Sequence, residues 1–580
     1  MLRKLVSLVC ASWVTGCFSD ARASQEKPPG VAEWRADLDE IVREIRASHP
    51  DPFTEIGKLS FLREVDRLKS ELPSLTEDER VVRAMQLVAL IGDGHTFLEP
   101  ISSRFGLWYP FRIYEFSDGF FITSAHRSVS DLAGAQVLEI ANRPIAEVAA
   151  KVRSLMSADN AFLRQERLYA IHSASLMTGM GFAGPKGELQ GRFKLKDGRI
   201  VNRTLTPSLA DDPNFKGEET TFEWQFRREM FGMPFAKTDA WISAFHDLPS
   251  SAFAVPDPAR PLYLRGQGPF FSQALPQYSS YYIQINQVDD MQLLQSVEKA
   301  LADVDQVKPR RLIVDLRYNF GGDGSKVVEV IQEFIKRKER KSWENLYVLT
   351  GRKTFSAAVM LLNVFLVYTD LSLVGEPPGA PLNSYGDPTL RRYSSTGLQL
   401  HVSTLFHQLS TSNDIRELIS VDVPAMFSFQ DYASGRDPAV DPILRGEEMR
   451  GLAAIARSEG GAAARRTWLE RKARFASHKW WLPPGEPELR RVSQALVAEK
   501  RMTDALETCK LTTEIHPFNW HSWFNRGLVQ RQMGKNQEAF ASLQCVNKVD
   551  PNNHNAAAIR QRLVELGGDK VPEPPECPVH

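Results

Sequence analysis

Amphipathic helices are predicted at the start of the chain, followed by short strands. Apolar side chains recur at helical spacing in two groups, Trp34, Leu38, Ile41, Val42 and Ile45, and Val81, Ala84, Leu87 and Leu90. Further along, segments such as Gly119–Thr123 and Arg192–Leu195 alternate apolar and polar residues like half-buried strands, with one helix near Ile145–Met156. We therefore predict an N-terminal helical domain over residues 31–105 and a strand-rich module over residues 106–206.

Strands and helices alternate in the middle of the chain, after a stretch in which apolar residues show little periodicity. Residues 207–260 are rich in Asp, Pro and aromatic side chains, and we interpret them as an insertion or a lid-like connection. Residues 261–445 predict an α/β layered core, and the charged residues of 446–485 predict a helical linker. Strands of the core are expected at Tyr281–Asn286, Arg311–Leu316 and Asn345–Thr350, and helices at Met291–Val304, Ser325–Lys336 and Ser356–Tyr368.

The last hundred residues carry an internal repeat. Pro517 and Pro551 are 34 residues apart, and the segments before them match in register. A 34-residue period with a proline after the second helix is typical of tetratricopeptide repeats, although two unrelated helix pairs are the alternative. We predict all-α tetratricopeptide repeats over residues 486–566, with a concave face for a protein partner, and a flexible tail over residues 567–580.

Composition and charge describe a multidomain α+β protein with a soluble body. At roughly 100–200 residues per domain, a chain of 580 residues predicts three or four domains. Lys plus Arg and Asp plus Glu both number 71, so the zero net charge gives no general attraction to nucleic acid or to an anionic membrane. No CxxC pair or HExxH motif occurs, and we expect no metal and no cofactor. Beyond the N-terminal region the cysteines are Cys509, Cys545 and Cys577, which allow at most one disulfide among them.

The N-terminus resembles an export signal. Arg3 and Lys4 precede an apolar stretch, as in a secretory signal peptide over residues 1–23. Two cleavage sites are open: after Ala-Arg-Ala at 21–23, or at a lipobox-like Val-Thr-Gly-Cys that ends at Cys17, which would then be acylated. A retained amphipathic helix is a third interpretation. We expect an exported protein of the bacterial periplasm or envelope, attached to a membrane only through a lipid chain.

Three short segments are candidates for chemistry. Ser356 follows a predicted strand and opens a helix, where unpaired N–H groups can stabilise an oxyanion or where serine can simply cap the helix. Gly321 and Gly322 follow another strand and provide either bare N–H donors or a tight turn. His95 lies in a glycine-containing loop, Gly92-Asp93-Gly94-His95-Thr96, where it suits a general base or an ordinary surface histidine. Taken singly, each segment favours the plainer interpretation.

Together these segments resemble a known family. The sequences LIGDGHT, LIVDLRYNFGG and LTGRKTFSAA, followed by LVGEPPGAPLNSYGD and GRDP, are similar to those of the C-terminal processing, or tail-specific, serine peptidases, a group that includes the core of the tricorn protease. The resemblance spans roughly residues 31–444. It implies a polypeptide substrate, a crotonase-like ββα peptidase core within 261–445 and a PDZ-like module within 106–206.

The resemblance also implies roles for the candidate residues. Ser356 takes the place of the nucleophile. The N–H of Ala357, with that of Gly321 or Gly322, would form the oxyanion hole.

One departure from the family pattern concerns the general base. A lysine usually follows the serine by about 25 residues, but Pro381 stands there and no lysine occurs from Thr354 to Arg471. The tricorn-like branch uses an upstream histidine instead, and His95 matches that position. We therefore expect His95 to deprotonate Ser356.

The residue that would orient the histidine is open. Asp414 and Glu417 lie where the family's acidic residue would fall, and Asp93 and Glu376 are further candidates. The favoured function is an exported or lipid-anchored serine peptidase. The alternative is a non-catalytic binding protein that uses a peptidase fold, the PDZ-like module and the repeats to assemble cell-envelope partners. An esterase is weaker, since no GxSxG motif occurs.

Overall fold

The computed structural model of the chain describes residues 28–209, 241–244, 260–266, 268–288, 291–412, 414–482, 485–550 and 561. The predicted signal region with Cys17, most of the 207–260 connection and the tail from 567 to 580 lie outside these residues. Among the described residues, no helix has the length and the apolar character needed to cross a bilayer.

Three helices form the start of the described chain, as the apolar spacing predicts. They run over Val31–Ser48, Lys58–Glu71 and Glu77–Ala89. The apolar residues of the first helix from Trp34 to Ile45 are buried. The third helix leads through a loop into the strand Phe97–Pro100.

An antiparallel seven-stranded sheet follows. Its main path consists, in spatial order, of Trp241–Ser243, Gly119–His126, Gln136–Ile140, Leu189–Lys194 and Ile200–Leu205. Two more strands, Phe111–Phe116 and Arg143–Pro144, pair with Gly119–His126 and Gln136–Ile140. Helices of the same region are Ile145–Arg153, Ala161–Glu166 and Ala174–Gly179. The described part of the 207–260 connection thus includes one strand of this sheet.

One hydrophobic core joins the N-terminal helices to this sheet. It also includes the strand Leu398–Val402, which pairs with Phe97–Pro100 on one side and with Thr389–Tyr393 on the other. Residues on both sides of the predicted boundary at residue 105 therefore contribute to one shared hydrophobic core.

A six-stranded sheet forms the second layered unit and confirms the predicted mixed α/β core. Its strands, in spatial order, are Phe270–Leu275, Ser280–Ile285, Arg311–Asp315, Asn345–Thr350, Leu371–Gly375 and Val423–Pro424. The first pair is antiparallel and the other pairs are parallel. Helices connect the parallel strands at Met291–Val307, Val327–Glu339 and Ala357–Tyr368. Every residue of Ser280–Ile285 is buried, as in a sheet covered on both faces.

Smaller elements complete the described parts of both units. Two-stranded ribbons pair Asn383–Gly386 with Leu405–Gln408 and Leu107–Trp108 with Ser208–Leu209. Short helices run over Phe429–Ser434 and Val440–Arg445. Turns of 3-10 helix occur at Leu72–Ser74, Ser103–Phe105, Arg127–Leu132, Tyr169–His172, Leu262–Leu264, Pro276–Tyr278 and Gly324–Lys326.

The C-terminal part is helical. Its helices are Leu452–Glu459, Gly461–Arg474, Glu486–Ala498, Met502–Ile515, Trp520–Gln532 and Asn536–Val549. The last two begin 34 residues after the preceding two, at 520 against 486 and at 536 against 502, which is the period read from the sequence. Cys509 is a free, buried thiol, whereas Cys545 is disulfide-bonded.

Candidate active site

The predicted serine and glycine segments meet at the carboxyl edge of the six-stranded sheet. Strands Arg311–Asp315 and Asn345–Thr350 are parallel neighbours, and the loops that leave them are hydrogen-bonded to each other. The N–H of Phe355 donates to the carbonyl of Asn319 at 3.0 Å. Such edges are where open α/β sheets generally bind ligands, because the loops after neighbouring strands converge there.

Ser356 has a strained backbone. It lies directly before the helix Ala357–Tyr368 with φ 52° and ψ −128°, values that an L-residue rarely adopts. Its side chain makes no capping hydrogen bond to the helix, so the helix-cap interpretation is not supported. A sharp strand-to-helix turn of this kind exposes the hydroxyl of a nucleophilic serine in other hydrolases. The geometry of a nucleophile elbow is thus present without the GxSxG motif.

Gly321 packs against Ser356. A β-carbon built on Gly321 would lie 2.7 Å from the β-carbon of Ser356 and 3.0 Å from the nitrogen of Ala357. Gly321 also has φ +110°, which favours glycine. A side chain at this position would therefore displace the serine.

Two of the three backbone N–H groups that we expected to form the oxyanion hole remain available as donors. The N–H of Gly321 donates to Oδ1 of Asn319 at 2.9 Å and is therefore occupied. Within the described part of the chain, the N–H groups of Gly322 and Ala357 make no hydrogen bond. Of the two glycines that we expected as donors, the geometry favours Gly322.

His95 stacks on the residue that precedes the serine. Its ring centroid lies 4.4 Å from that of Phe355, with an angle of 25° between the rings. Neither ring nitrogen makes a hydrogen bond of standard geometry among the described residues, although the backbone of Tyr385 lies close enough to favour the protonated ring. No hydrogen bond joins the ring to Ser356. Burial lowers the pKa of His95 to about 4, with help from the nearby charges of Arg167 and His407 and against the opposing effect of Asp93. The imidazole is therefore neutral near pH 7, with an unoccupied nitrogen.

The expected orienting acids do not lie on this imidazole. Asp414 is bound by the guanidinium of Arg416 at 2.7 and 2.8 Å, which holds the pKa of this carboxyl well below its usual range. Glu417 is exposed, and Glu376 pairs with Arg352 at 3.2 Å. Within the described ranges, no hydrogen bond joins any of these three carboxylates to His95.

Asp93 is the charged group whose electrostatic effect favours a protonated His95. Its carboxylate is buried and binds the backbone of the loop that carries the histidine, at 2.9 Å from the N–H of His95. Burial raises the pKa of Asp93, but hydrogen bonds from His49, Thr96 and Ser403 outweigh that effect and leave it below the ordinary value. Asp93 is therefore ionised at neutral pH.

A second carboxyl, distant in sequence, contacts the loop that carries His95 and titrates near neutrality. Asp159 accepts a hydrogen bond from the N–H of Gly94 at 3.1 Å through Oδ1, whereas its buried Oδ2 has no partner among the described residues. Burial, together with the charge of Asp93, raises the pKa of Asp159 to about 7. No motif marks this residue, since its position beside Gly94 arises only from the packing of distant segments.

A buried ion network fixes the strand that precedes the glycines. Arg317 binds Asp315 and Asp437 through its guanidinium, with shortest distances of 2.6 and 2.8 Å. The hydroxyl of Tyr282 donates to Asp315 at 2.6 Å. The network explains the GRDP segment, whose aspartate is Asp437 and to which the sequence assigned no role.

Comparison with known proteins identifies the central part of the chain. Residues 280–408, which include both glycines and Ser356 but not His95, match the model of peptidase family S41. No curated protein matches the chain. The resemblance to C-terminal processing peptidases noted from the motifs is thus confirmed over this segment.

Solved structures with a similar fold belong to several peptidases. Mature CPAF in complex with lactacystin matches over 70% of this chain and 95% of its own, at 12% identity and a TM-score of 0.46. The photosystem II D1 C-terminal processing protease matches over 72% and 98%, at 12% identity and a TM-score of 0.33. The tricorn protease matches over 72% and 36%, at 13% identity and a TM-score of 0.31.

Proposed function

Because residues 280–408 form a serine peptidase domain of family S41, we propose that this chain hydrolyses peptide bonds with Ser356 as nucleophile and His95 as general base. The observation that carries this proposal is the strained backbone of Ser356, whose φ is 52°. Gly321 packs against Ser356 and against the carbonyl of Phe355, the residue before it. A protein retains strain of this kind when the surrounding structure enforces it, and active sites are where it concentrates.

The steps follow from the positions of the donors and the base. His95 takes the proton of the Ser356 hydroxyl as the oxygen attacks the scissile carbonyl. The N–H groups of Gly322 and Ala357 donate to the oxyanion that forms. The imidazolium then protonates the leaving amine, and water deprotonated by His95 hydrolyses the acyl-enzyme.

Two features of His95 bear on this mechanism. Its low pKa keeps the ring unprotonated, and an ionised Asp93 close by favours the imidazolium that forms during the reaction. Catalytic hydrogen bonds often form only when substrate is bound, so an unliganded site can lack the bond between His95 and Ser356. In our proposal Asp93 supplies the negative charge that stabilises the His95 imidazolium. Asp414 or Glu417 could take that role only if the side chain moved from its present position.

The flanking parts of the chain fit roles in binding. We infer a PDZ-like role for the strand-rich module, because modules of that type bind polypeptide ends by strand addition. Arg352, four residues before Ser356, donates to the carbonyl of Glu115 in this module at 3.0 Å. The 34-residue offset between C-terminal helices supports tetratricopeptide repeats that bind a protein partner.

Export is the setting that we propose. The signal-like N-terminus supports it, and so does the disulfide at Cys545, since disulfides persist in oxidising compartments such as the periplasm. Acylation of Cys17 predicts that the protein partitions into the detergent phase of a Triton X-114 extract. Cys17→Ala should move the protein to the aqueous phase. Aqueous partitioning of the unaltered chain would contradict acylation of Cys17 and favour signal-peptide cleavage after Ala23.

A fluorophosphonate probe tests the active site. We expect the native chain to be labelled, and Ser356→Ala and His95→Ala to lose labelling. Ser458→Ala and His478→Ala, which change residues far along the chain in the helical region, are the matched controls and should label like the native chain. Labelling that survives Ser356→Ala would refute the nucleophile.

Hydrolysis of a fluorogenic peptide library by the same variants separates a peptidase from an esterase. We expect peptide cleavage that depends on Ser356. A folded chain that neither labels nor cleaves peptides would instead support the non-catalytic binding protein.

A further inference from the structure

Asp93 controls the path of the backbone that carries His95. Its Oδ1 accepts hydrogen bonds from the N–H groups of His95 and Thr96, at 2.9 and 3.0 Å, and from the hydroxyl of Ser403 at 2.7 Å. An aspartate that binds the N–H groups two and three residues ahead closes a local turn. The direction in which His95 leaves the chain therefore depends on the position of this carboxylate.

The other oxygen of Asp93 is held by His49, which directly follows the first helix. Nε2 of His49 lies 3.0 Å from Oδ2 of Asp93, and the two side chains are 1% and 4% exposed. The N–H of Asp51 donates to Nδ1 of His49 at 3.1 Å, so Nδ1 carries no proton and Nε2–H is the donor to Asp93. His49 thus donates a charge-assisted hydrogen bond to a buried carboxylate.

His49 also contacts a strand that lies close to His95. Its ring lies 4.5 Å from the ring of Tyr385, in the strand Asn383–Gly386. That strand passes His95 closely, since a β-carbon on Gly386 would lie 3.9 Å from Cε1 of His95. His49 therefore contacts both structures that confine the imidazole, although it does not touch the imidazole itself.

We propose that His49 is a positioning residue of the active site, which acts through Asp93 to hold the His95 loop in the geometry that reaches Ser356. The inference rests on the proposed role of His95 as general base. It adds a residue that lies outside the S41 domain and belongs to the N-terminal helices. The N-terminal helical segment is then a part of the catalytic apparatus and not only a neighbouring domain.

Loss of the His49 donor has a specific consequence for pH dependence. The pKa of Asp93, which burial raises and hydrogen bonds lower, moves upward when one of those bonds is lost. Asp93 then becomes neutral at a higher pH, and the turn that it closes weakens there. The charged or titratable groups that face Asp93 and His95 are His49, Asp159, Arg167 and His407.

Loss of the Asp93 charge does not by itself raise the pKa of His95, because a neutral Asp93 no longer favours the imidazolium. Looser packing of the His95 loop would raise that pKa, since burial is what mainly lowers it. A rise in the pH at which activity is lost on acidification therefore reports the Asp93 carboxyl or the loosened loop, and both follow from loss of the bond from His49.

The experiment measures fluorophosphonate labelling rates from pH 4 to pH 8 for His49→Phe and His49→Gln. Phenylalanine keeps a ring against Tyr385 but removes the donor, whereas glutamine can still donate an N–H to Asp93. The matched control is His401→Phe, which removes a similar buried pair, His401 with Glu99 at 2.7 Å, without contact to Asp93. We expect His49→Phe to label about 10-fold to 100-fold more slowly, with its acid limit at higher pH, and the other two variants to stay within about threefold of the native rate.

A readout that needs no catalysis separates this inference from the proposed function. Amide hydrogen exchange at His95 and Thr96 should be faster in His49→Phe than in His49→Gln or His401→Phe. Native exchange and native labelling in folded His49→Phe would overturn the inference, as would equal effects in His401→Phe. Absence of labelling in the native chain would refute the proposed function alone, and the exchange rates would still decide the role of His49.

Discussion

Gly321 and Ser356 are packed so closely that only a hydrogen atom fits on the glycine where they meet. A β-carbon there would stand 2.7 Å from the β-carbon of Ser356, well inside normal contact. Gly321 follows the strand Arg311–Asp315, and Ser356 follows the parallel neighbour Asn345–Thr350. Their close approach therefore brings the loops after these two strands into contact at the candidate nucleophile. It also places Gly321 in a backbone region that favours glycine, with φ +110°.

Replacement of this glycine should remove activity and stability together. Gly181→Ala is a control for backbone strain alone, because Gly181 has φ +76° and no neighbouring atom within 4 Å of a built β-carbon. We expect that control to cost about 1–2 kcal/mol of unfolding free energy. Gly321→Ala should cost about 1–3 kcal/mol more, because the methyl group must displace Ser356.

Fluorophosphonate labelling of Gly321→Ala should be at least about 100-fold slower than native, whereas Gly181→Ala should label normally. Denaturant unfolding and labelling rates measure the two effects. Native labelling in Gly321→Ala would show that the contact does not position the serine.

Acid inactivation should occur near pH 4 and not near the ordinary histidine range. The pKa of His95 is lowered to about 4, mainly by burial, and the general base must be neutral to accept a proton. The labelling rate should therefore stay level from pH 8 to about pH 5 and fall as the pH passes the pKa.

His407→Gln tests the assignment of this limb. His407 is one of the charges that lower the pKa of His95, so its removal should move the acid limb upward. Both profiles are measured as labelling rates on protein shown to be folded at each pH. A native limb near pH 6.5 would contradict the burial of His95 as its cause.

Asp159 makes the folded state less stable as the pH rises. Its folded pKa, about 7, lies above the ordinary aspartate value of 3.8, so the folded chain binds this proton more tightly than the unfolded chain. The contribution is complete below about pH 4 and is lost as the pH rises through 7. Asp159→Asn removes this dependence, and its stability relative to native should increase between pH 4 and pH 7 by at most about 4 kcal/mol.

Urea unfolding at pH 4.5 and pH 8 measures this difference. Asp197→Asn is the control, since Asp197 is a surface residue whose pKa is lowered by hydrogen bonds from Arg199. A constant difference between Asp159→Asn and native over this range would show that Asp159 is ionised in the folded state.

Removal of Arg317 should be far more damaging than removal of an exposed arginine. Arg317→Met leaves the buried carboxylates of Asp315 and Asp437 without their cation, at a cost of about 3–5 kcal/mol or more. Arg310→Ala breaks a pair with Glu344 whose side chains are 63% and 60% exposed, and should cost about 0–1 kcal/mol. Denaturant midpoints compare the two, and similar midpoints would contradict a structural role for the network.

Local sequence patterns were sufficient to predict many of the helices and strands, including those on either side of Ser356. Helical spacing predicted the buried face of the first helix, and the strand Asn345–Thr350 was predicted with its observed bounds. The change from strand to helix at Ser356 is also a local signal, since the apolar helix begins at Ala357. These features depend on residues within one or two turns of each other, which is the range over which periodicity carries information.

The motifs were less informative about what surrounds the candidate nucleophile and base. They left Gly321 and Gly322 equivalent, whereas the side chain of Asn319 occupies the N–H of Gly321. They pointed to Asp414 or Glu417 as the orienting acid, whereas Arg416 binds Asp414. Such outcomes depend on which side chains compete for one donor or charge, and that competition is decided by packing.

Sequence alone indicated the 34-residue repeat and the α/β core, because both depend on spacing within short segments. It made Ser356, His95 and the paired glycines candidates through their combined resemblance to the tail-specific peptidases. Only the tertiary structure decided that helix, loop and sheet share one core, and that His49 and Ser403 meet at Asp93. Those contacts join residues 44 and 310 positions apart. Hydrogen bonds and pKa shifts over such separations arise from burial in the folded chain, which spacing along the sequence does not encode.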